Sequence, residues 1–191
     1  MHGAIFPHKY YTGKVIISPS SRGFTLIELL VVIAIIGILG SVVLASLGNA
    51  RARSSDNAVK ASLNQARKQA DIFYDSNNGA YVVTAGSATD VCSPLGVVNG
   101  VKGMYEQVKS AADAAGISTI QTTHTQAGAA GRVTCHACPA GIPAGSCGGL
   151  NSNNWAVEVP LKSGGFWCVD SSGYNAYNAT TMLASGDSRC L

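Results

Sequence analysis

Directly after Glu28 the chain runs for 19 residues without a charge, LLVVIAIIGILGSVVLASL, residues 29 to 47. At about 1.5 Å per helical residue this stretch covers roughly 28 Å, close to the thickness of a bilayer's hydrocarbon core. A backbone in that medium must satisfy its own polar groups, so the segment predicts one membrane-spanning helix. The 191 residues leave room for one modest domain beyond it. An ordinary secretory signal, cut near Ala50-Arg51-Ala52, is the competing reading. Such signals have apolar regions of about 7 to 15 residues, shorter than this one, and do not carry a carboxylate.

Charge is confined in a telling way. Lys9, Lys14 and Arg22 stand in residues 1 to 23 with no acid, so the formal +3 sits there and the rest of the chain balances. From residue 77 onward five basic side chains face six acidic ones, which is no footprint for nucleic acid. The positive-inside rule alone leaves the orientation open, because Arg51, Arg53 and Lys60 follow the span. All six cysteines (Cys92, Cys135, Cys138, Cys147, Cys168 and Cys190) lie beyond it. An even count in a small, loop-rich domain favours disulfides in an oxidising compartment, which places the C-terminal part outside the cytoplasm. Zinc is the weaker alternative. Cys135 and Cys138 form a single CxxC around His136, with Cys147 and His124 nearby, but a second ligand pair is missing.

Past the span, residues 49 to 76 contain neither proline nor glycine. Val59, Leu63, Ala66, Ala70 and Phe73 fall at alternating spacings of four and three, one helix stripe. One helix is therefore expected from residue 24 to about 76, apolar in its first half and amphipathic in its second, where the head docks. Asn77-Asn78-Gly79 is a suitable stop, since Asn and Gly tolerate the left-handed conformation.

Glu28 is the anomaly. A carboxylate inside a span costs about 2.5 to 3.5 kcal/mol on insertion scales, and nothing in the same segment can pair with it. A cut between Gly23 and Phe24 would create a cationic amine one turn away, able to pair within a chain or between chains staggered along a bundle. A protonated carboxyl, or one lying among headgroups, would also satisfy the composition.

Arg22-Gly23-Phe24-Thr25-Leu26-Ile27-Glu28, followed by the apolar run, resembles the class III signal of type IV pilins and of the pseudopilins of type II secretion systems. The resemblance covers residues 22 to 76 and, more loosely, the WAVEVPLKSGGFWCVD stretch of residues 155 to 170. It implies a leader of residues 1–23 removed by a prepilin peptidase after Gly23 and N-methylation of Phe24. It further implies that Glu28 meets the Phe24 amine of a neighbouring subunit while helices bundle into a filament core. The domain organisation that follows is leader 1–23, filament-core or transmembrane half 24–47, amphipathic half 48–76 and head 77–191. The expected fold is α+β and pilin-like: a long helix packed on a small antiparallel sheet with disulfide-pinned loops. Many pilins carry a proline where this chain has Ala45, so helix flexibility would rest on Gly37 and Gly40. The implied partners are further copies of the chain, the peptidase, inner-membrane assembly machinery and, before assembly, membrane lipid. The head would stand outside the inner membrane, then on an extracellular or envelope-spanning filament. A secretion pseudopilin, or a monomeric anchored binding protein, is the alternative.

In the head, residues 99 to 116 have helical spacing at Val101, Met104, Tyr105, Val108 and Ala112, with Gly116 as a stop. Residues 128 to 154 read as a Gly/Ala/Pro/Asn-rich loop. Residues 155–160 and 165–170 read as a hairpin turning at Lys162-Ser163-Gly164, and a third strand is expected around Tyr174 to Tyr177. Trp155, Phe166, Trp167, Tyr174 and Tyr177 suit core and rim packing better than a ligand box. Six cysteines allow fifteen pairings. The expected set is Cys147 with Cys168, Cys92 with Cys190 and Cys135 with Cys138, a rearrangement at the last pair remaining open. Asp170 is a weak calcium candidate in a segment comparable to one that binds calcium in related pseudopilins. With a single carboxylate, a plain turn is favoured there. Asn178-Ala179-Thr180 fits a glycosylation sequon. No catalytic constellation or cofactor motif is present in the sequence, and an enzymatic role is not expected.

Overall fold

The computed structural model describes residues 23–83, 89–123, 126–138 and 153–190. Lys9, Lys14, Arg22, His124, Cys147 and most of the Gly/Pro-rich stretch lie outside them. By its packing the chain divides into two units, one up to Val43 and one from Leu44 onward.

Helix α1, Leu26–Ser76, runs through that division. It ends where expected, with Asn78 and Gly79 at φ of 53° and 78° and the Gly79 N–H on the Tyr74 carbonyl at 3.0 Å. The Asn77 amide extends the stop by donating to the carbonyls of Ala80 and Val82. In the second unit the expected stripe of Val59, Leu63, Ala66, Ala70 and Phe73 is fully buried. Asp56 lies one turn before Val59 on the same face and is also buried. Its carboxylate accepts the backbone N–H groups of Lys162 at 2.8 Å and Ser163 at 3.3 Å, so the stripe begins with a clamp on a distant turn.

The segment after α1 differs from the sequence expectation. Strands β1 (Val97–Val98) and β2 (Val101–Lys102) form a hairpin, and helix α2 occupies only Tyr105–Ala115. Asn99 and Gly100 both adopt positive φ, 50° and 82°, the signature of a type I′ hairpin turn. Val101 therefore belongs to a strand, not to the helix. Helix α2 buries Val108, Ala111, Ala112 and Ala115 and stops at left-handed Gly116, as its spacing predicts.

The remaining strands form one sheet in the order β3-β4-β5-β6-β7. They span Ile120–Gln121, Val133–Cys138, Asn154–Pro160, Phe166–Asp170 and Asn175–Asn178. The β5–β6 hairpin and the third strand match expectation. The sheet is mixed, because β3 pairs with β4 in parallel while the other pairs are antiparallel. β4 falls where a loop was expected. All six of its residues are buried, with apolar Val133, Cys135 and Ala137 alternating with polar Thr134 and His136 along a strand only six residues long.

One face of the sheet presents Val133, Cys135, Ala137, Trp155, Val157, Val159 and Val169 to the core that includes the α1 stripe and α2. The other face carries His136, Ala156, Glu158, Cys168 and Asp170, and the C-terminal segment of residues 181–190 covers it with Met182, Leu183 and Cys190. Polar contacts hold that cover. Glu158 accepts the Thr181 hydroxyl and the N–H groups of Met182 and Leu183, Asp170 accepts the Cys190 N–H at 3.1 Å, and the His136 ring meets the Asp187 carbonyl. Gly128 is required beside this cluster. A Cβ there would lie 2.3 Å from both the Glu158 Oε1 and the Thr181 Oγ1.

The disulfides correct the expected pairing. Cys92 is bonded to Cys135 and Cys168 to Cys190, with Cα separations of 5.7 and 5.9 Å. Cys138 is disulfide-bonded too, but not to Cys135. The reason is strand geometry: Cys135 and Cys138 are three apart on β4, and their side chains leave opposite faces of the sheet. Cys135 meets the helix side and Cys168 the C-terminal cover.

Candidate functional site

The cleavage-type motif sits at the start of α1. Gly23, Phe24 and Thr25 are not helical, and the Phe24 side chain is 87% exposed. Helix begins at Leu26 because Thr25 and Glu28 cap it reciprocally. Glu28 Oε2 accepts the Thr25 N–H and hydroxyl, both at 2.9 Å, and the Glu28 N–H donates to the Thr25 Oγ1 at 3.2 Å. This is a capping box, T-x-x-E, which satisfies donors that a helix start otherwise leaves unpaired. It corrects the expectation that nothing in the segment can partner Glu28. No charge pairs with it locally, yet a hydroxyl and an amide three residues upstream do. The sequence signal was present in Thr25-Leu26-Ile27-Glu28, masked by the attention a lone charge draws.

Beyond the cap, Leu29 to Leu44 project apolar side chains on every side, and Ile33, Ile36 and Leu39 are each about 60% exposed. The helix is long and apolar enough to cross a membrane. Gly37 and Gly40 stand in open space, with nothing within 4 Å of where a Cβ would be, and α1 is continuous through them and Ala45.

The other candidate residues are used locally. Asp170 Oδ1 accepts from the Ser172 N–H and hydroxyl and the Tyr174 N–H, and Oδ2 from the Cys190 N–H. Among the described residues no group of three or more His, Cys, Asp or Glu side chains could hold a metal ion. Trp155 is buried, Trp167 lies under the Lys60 ammonium at 4.3 Å, and Tyr174 and Tyr177 are exposed at the sheet edge. One carboxylate is electrostatically displaced. Burial pushes Asp90 up to about 6, against the bonds it accepts from the Cys92 and Ser93 backbone.

The motif and the span are matched together by one family model. Residues 18–44 fit the prokaryotic N-terminal methylation motif. The N-terminal segment carries that motif. Among curated proteins, the chain is similar to the type IV wide pilus major component PilA4 of Thermus thermophilus, 49% identical over 59 residues. That alignment takes in 31% of this chain and 45% of the relative, so the chain spans less than half the relative's length. No solved structure matches. The long helix with a small mixed sheet beyond it is consistent with the α+β fold expected.

Proposed function

We propose that the protein is the structural subunit of a type IV pilus-like filament, made as a precursor and built into the filament by bundling of its N-terminal helices. The leader of residues 1–23 is removed by a prepilin peptidase after Gly23, and Phe24 is methylated on its new amine. Residues 24–47 anchor the chain in the inner membrane before assembly and form the filament core afterwards. Residues 48–76 carry the head, residues 77–191, on the outer side of the membrane. Neighbouring copies and the inner-membrane assembly machinery are its partners.

The observation that carries this reading is the apolar first half of α1, which follows the capped, exposed Gly23-Phe24 motif directly and buries none of its side chains. Such a surface demands either lipid or other helices. A neighbouring chain's amine would add a charged partner to Glu28, which the Thr25 cap holds by one oxygen. The disulfides support an oxidising location for the head.

Replacing Glu28 by Ala tests this in the native host. Sheared filaments should fall by about a hundredfold, the scale of a charge pair in an apolar medium, while the membrane-inserted subunit persists. Wild-type filament yield from Glu28→Ala would instead favour a merely anchored binding protein.

A further inference from the structure

The uncharged run of α1 ends at Leu47, and the next charged side chains are Arg51 and Arg53. Both are exposed, and among the described residues neither has a hydrogen-bond or ion-pair partner. The nearby acids are already engaged. Residues 29 to 55 contain no Asp or Glu, and Asp56 is buried with its carboxylate on the Lys162 and Ser163 N–H groups. Ser55 donates to the Ala114 carbonyl of α2, and Asp113 beside it is held by Lys109 at 2.9 Å. We propose that Arg51 and Arg53 form a collar that docks on anionic phospholipid headgroups of the outer leaflet while the subunit awaits assembly. The inference rests on the proposed anchoring of residues 24–47 and adds the class of lipid selected there.

The level of the collar on α1 supports this. The Asp56 clamp and the Ser55 bond fix where the β5–β6 turn and α2 meet the helix, and of residues 48–54 before them all but Ala52 are exposed. At about 1.5 Å per residue, Arg51 and Arg53 stand roughly 6 and 9 Å beyond Leu47. The polar layer of one leaflet is about 5 to 8 Å deep. Side chains on a helix lean towards its N-terminus, here the bilayer side, so both guanidiniums reach back to the phosphates. Being two residues apart, they lie roughly 200° apart around the axis and engage separate headgroups. The planar fork of each arginine suits phosphate oxygens. A lipid partner also gives a use to two cations on the side of the span where the positive-inside rule expects few.

The test reconstitutes the full chain into vesicles of equal parts phosphatidylcholine and phosphatidylglycerol, extracts it in mild detergent and identifies the retained lipid by mass spectrometry. Wild type should enrich phosphatidylglycerol by about fivefold for each arginine, the worth of one basic side chain at an anionic surface. The double change Arg51→Gln, Arg53→Gln should retain the two lipids equally. High salt during reconstitution should reduce the wild-type preference, because the contact is exposed to solvent ions. An unchanged preference in the double variant overturns the inference, as does a wild-type preference that salt does not touch. Unchanged lipid selection together with lost filaments in the native host assigns the two arginines to a neighbouring chain and also overturns it. A wild-type chain that resists alkaline carbonate extraction yet shows no lipid preference leaves the anchoring standing and sinks the collar alone. Release of the wild-type chain by carbonate removes the anchoring on which the collar rests.

Discussion

The two halves of α1 share one continuous ladder of backbone hydrogen bonds and differ in what their side chains face. Up to Val43 the residues are apolar all round and exposed, whereas from Asp56 to Phe73 a single stripe is buried and the opposite side is charged or polar. A helix of the first kind is stable only where its surroundings are apolar, and one of the second kind wherever its stripe finds a sheet. The comparison separates two surfaces along one element: the first half leaves its apolar side chains exposed, the second buries a stripe against its own head.

Substitution within each half should break the symmetry of effect. Leu63→Ala removes a fully buried side chain and should cost the head about 3 to 5 kcal/mol, read as a lower denaturant midpoint of the full chain in detergent micelles. Ile36→Ala, 62% exposed before substitution, should leave that midpoint unchanged and act only on filament yield. Equal destabilisation by both would contradict the division.

A smaller effect sharpens the contrast between the head's two cores. The bond from Cys168 to Cys190 closes a separation of 22 residues and fastens the C-terminal cover to the polar face of the sheet. The double change Cys168→Ser, Cys190→Ser should cost about 2 to 4 kcal/mol, and amide exchange should rise in residues 181–190 before it rises in the α1 stripe. Exchange rising equally at both would show that the two faces open as one unit.

The smallest effect concerns pH. Asp90 is held near 6 in the folded head by burial, above its ordinary 3.8. A raised carboxyl binds its proton more tightly when folded, so its contribution is full below the unfolded value and is lost as pH rises through about 6. Asp90→Asn keeps an oxygen for the Cys92 N–H and carries no charge. It should flatten the midpoint between pH 4 and 7 and leave the variant about 1 to 2 kcal/mol more stable than the wild type at neutral pH. Parallel profiles for the two proteins would refute this origin.

Much of this division was legible in the sequence, and its limits have physical reasons. The uncharged run, the stripe of Val59 to Phe73, the Asn78-Gly79 stop and the β5–β6 hairpin each follow a period or turn signal that local chemistry imposes. β4 escaped because its short alternation, Val133, Cys135 and Ala137 against Thr134 and His136, sits inside a Gly/Ala/Pro-rich stretch that reads as a loop. The Asn99-Gly100 hairpin escaped because Val101 and Met104 also fit a helical spacing. Disulfide partners depend on which sheet face each cysteine leaves, and that is fixed only once the register is. At the candidate site the cleavage motif and Glu28 were plain, while Thr25 was overlooked because a capping partner carries no charge. Asp56 carries no signal of its own in the sequence; only the fold brings the Lys162-Ser163 turn to it.

The central claim, that the first half of α1 is an assembly element released by a cut beside it, is tested most directly by the mass of the mature N-terminus in protein from the native host. A chain beginning at methylated Phe24 is the predicted result. An intact leader, or a start at Arg53 that discards the span, would contradict it.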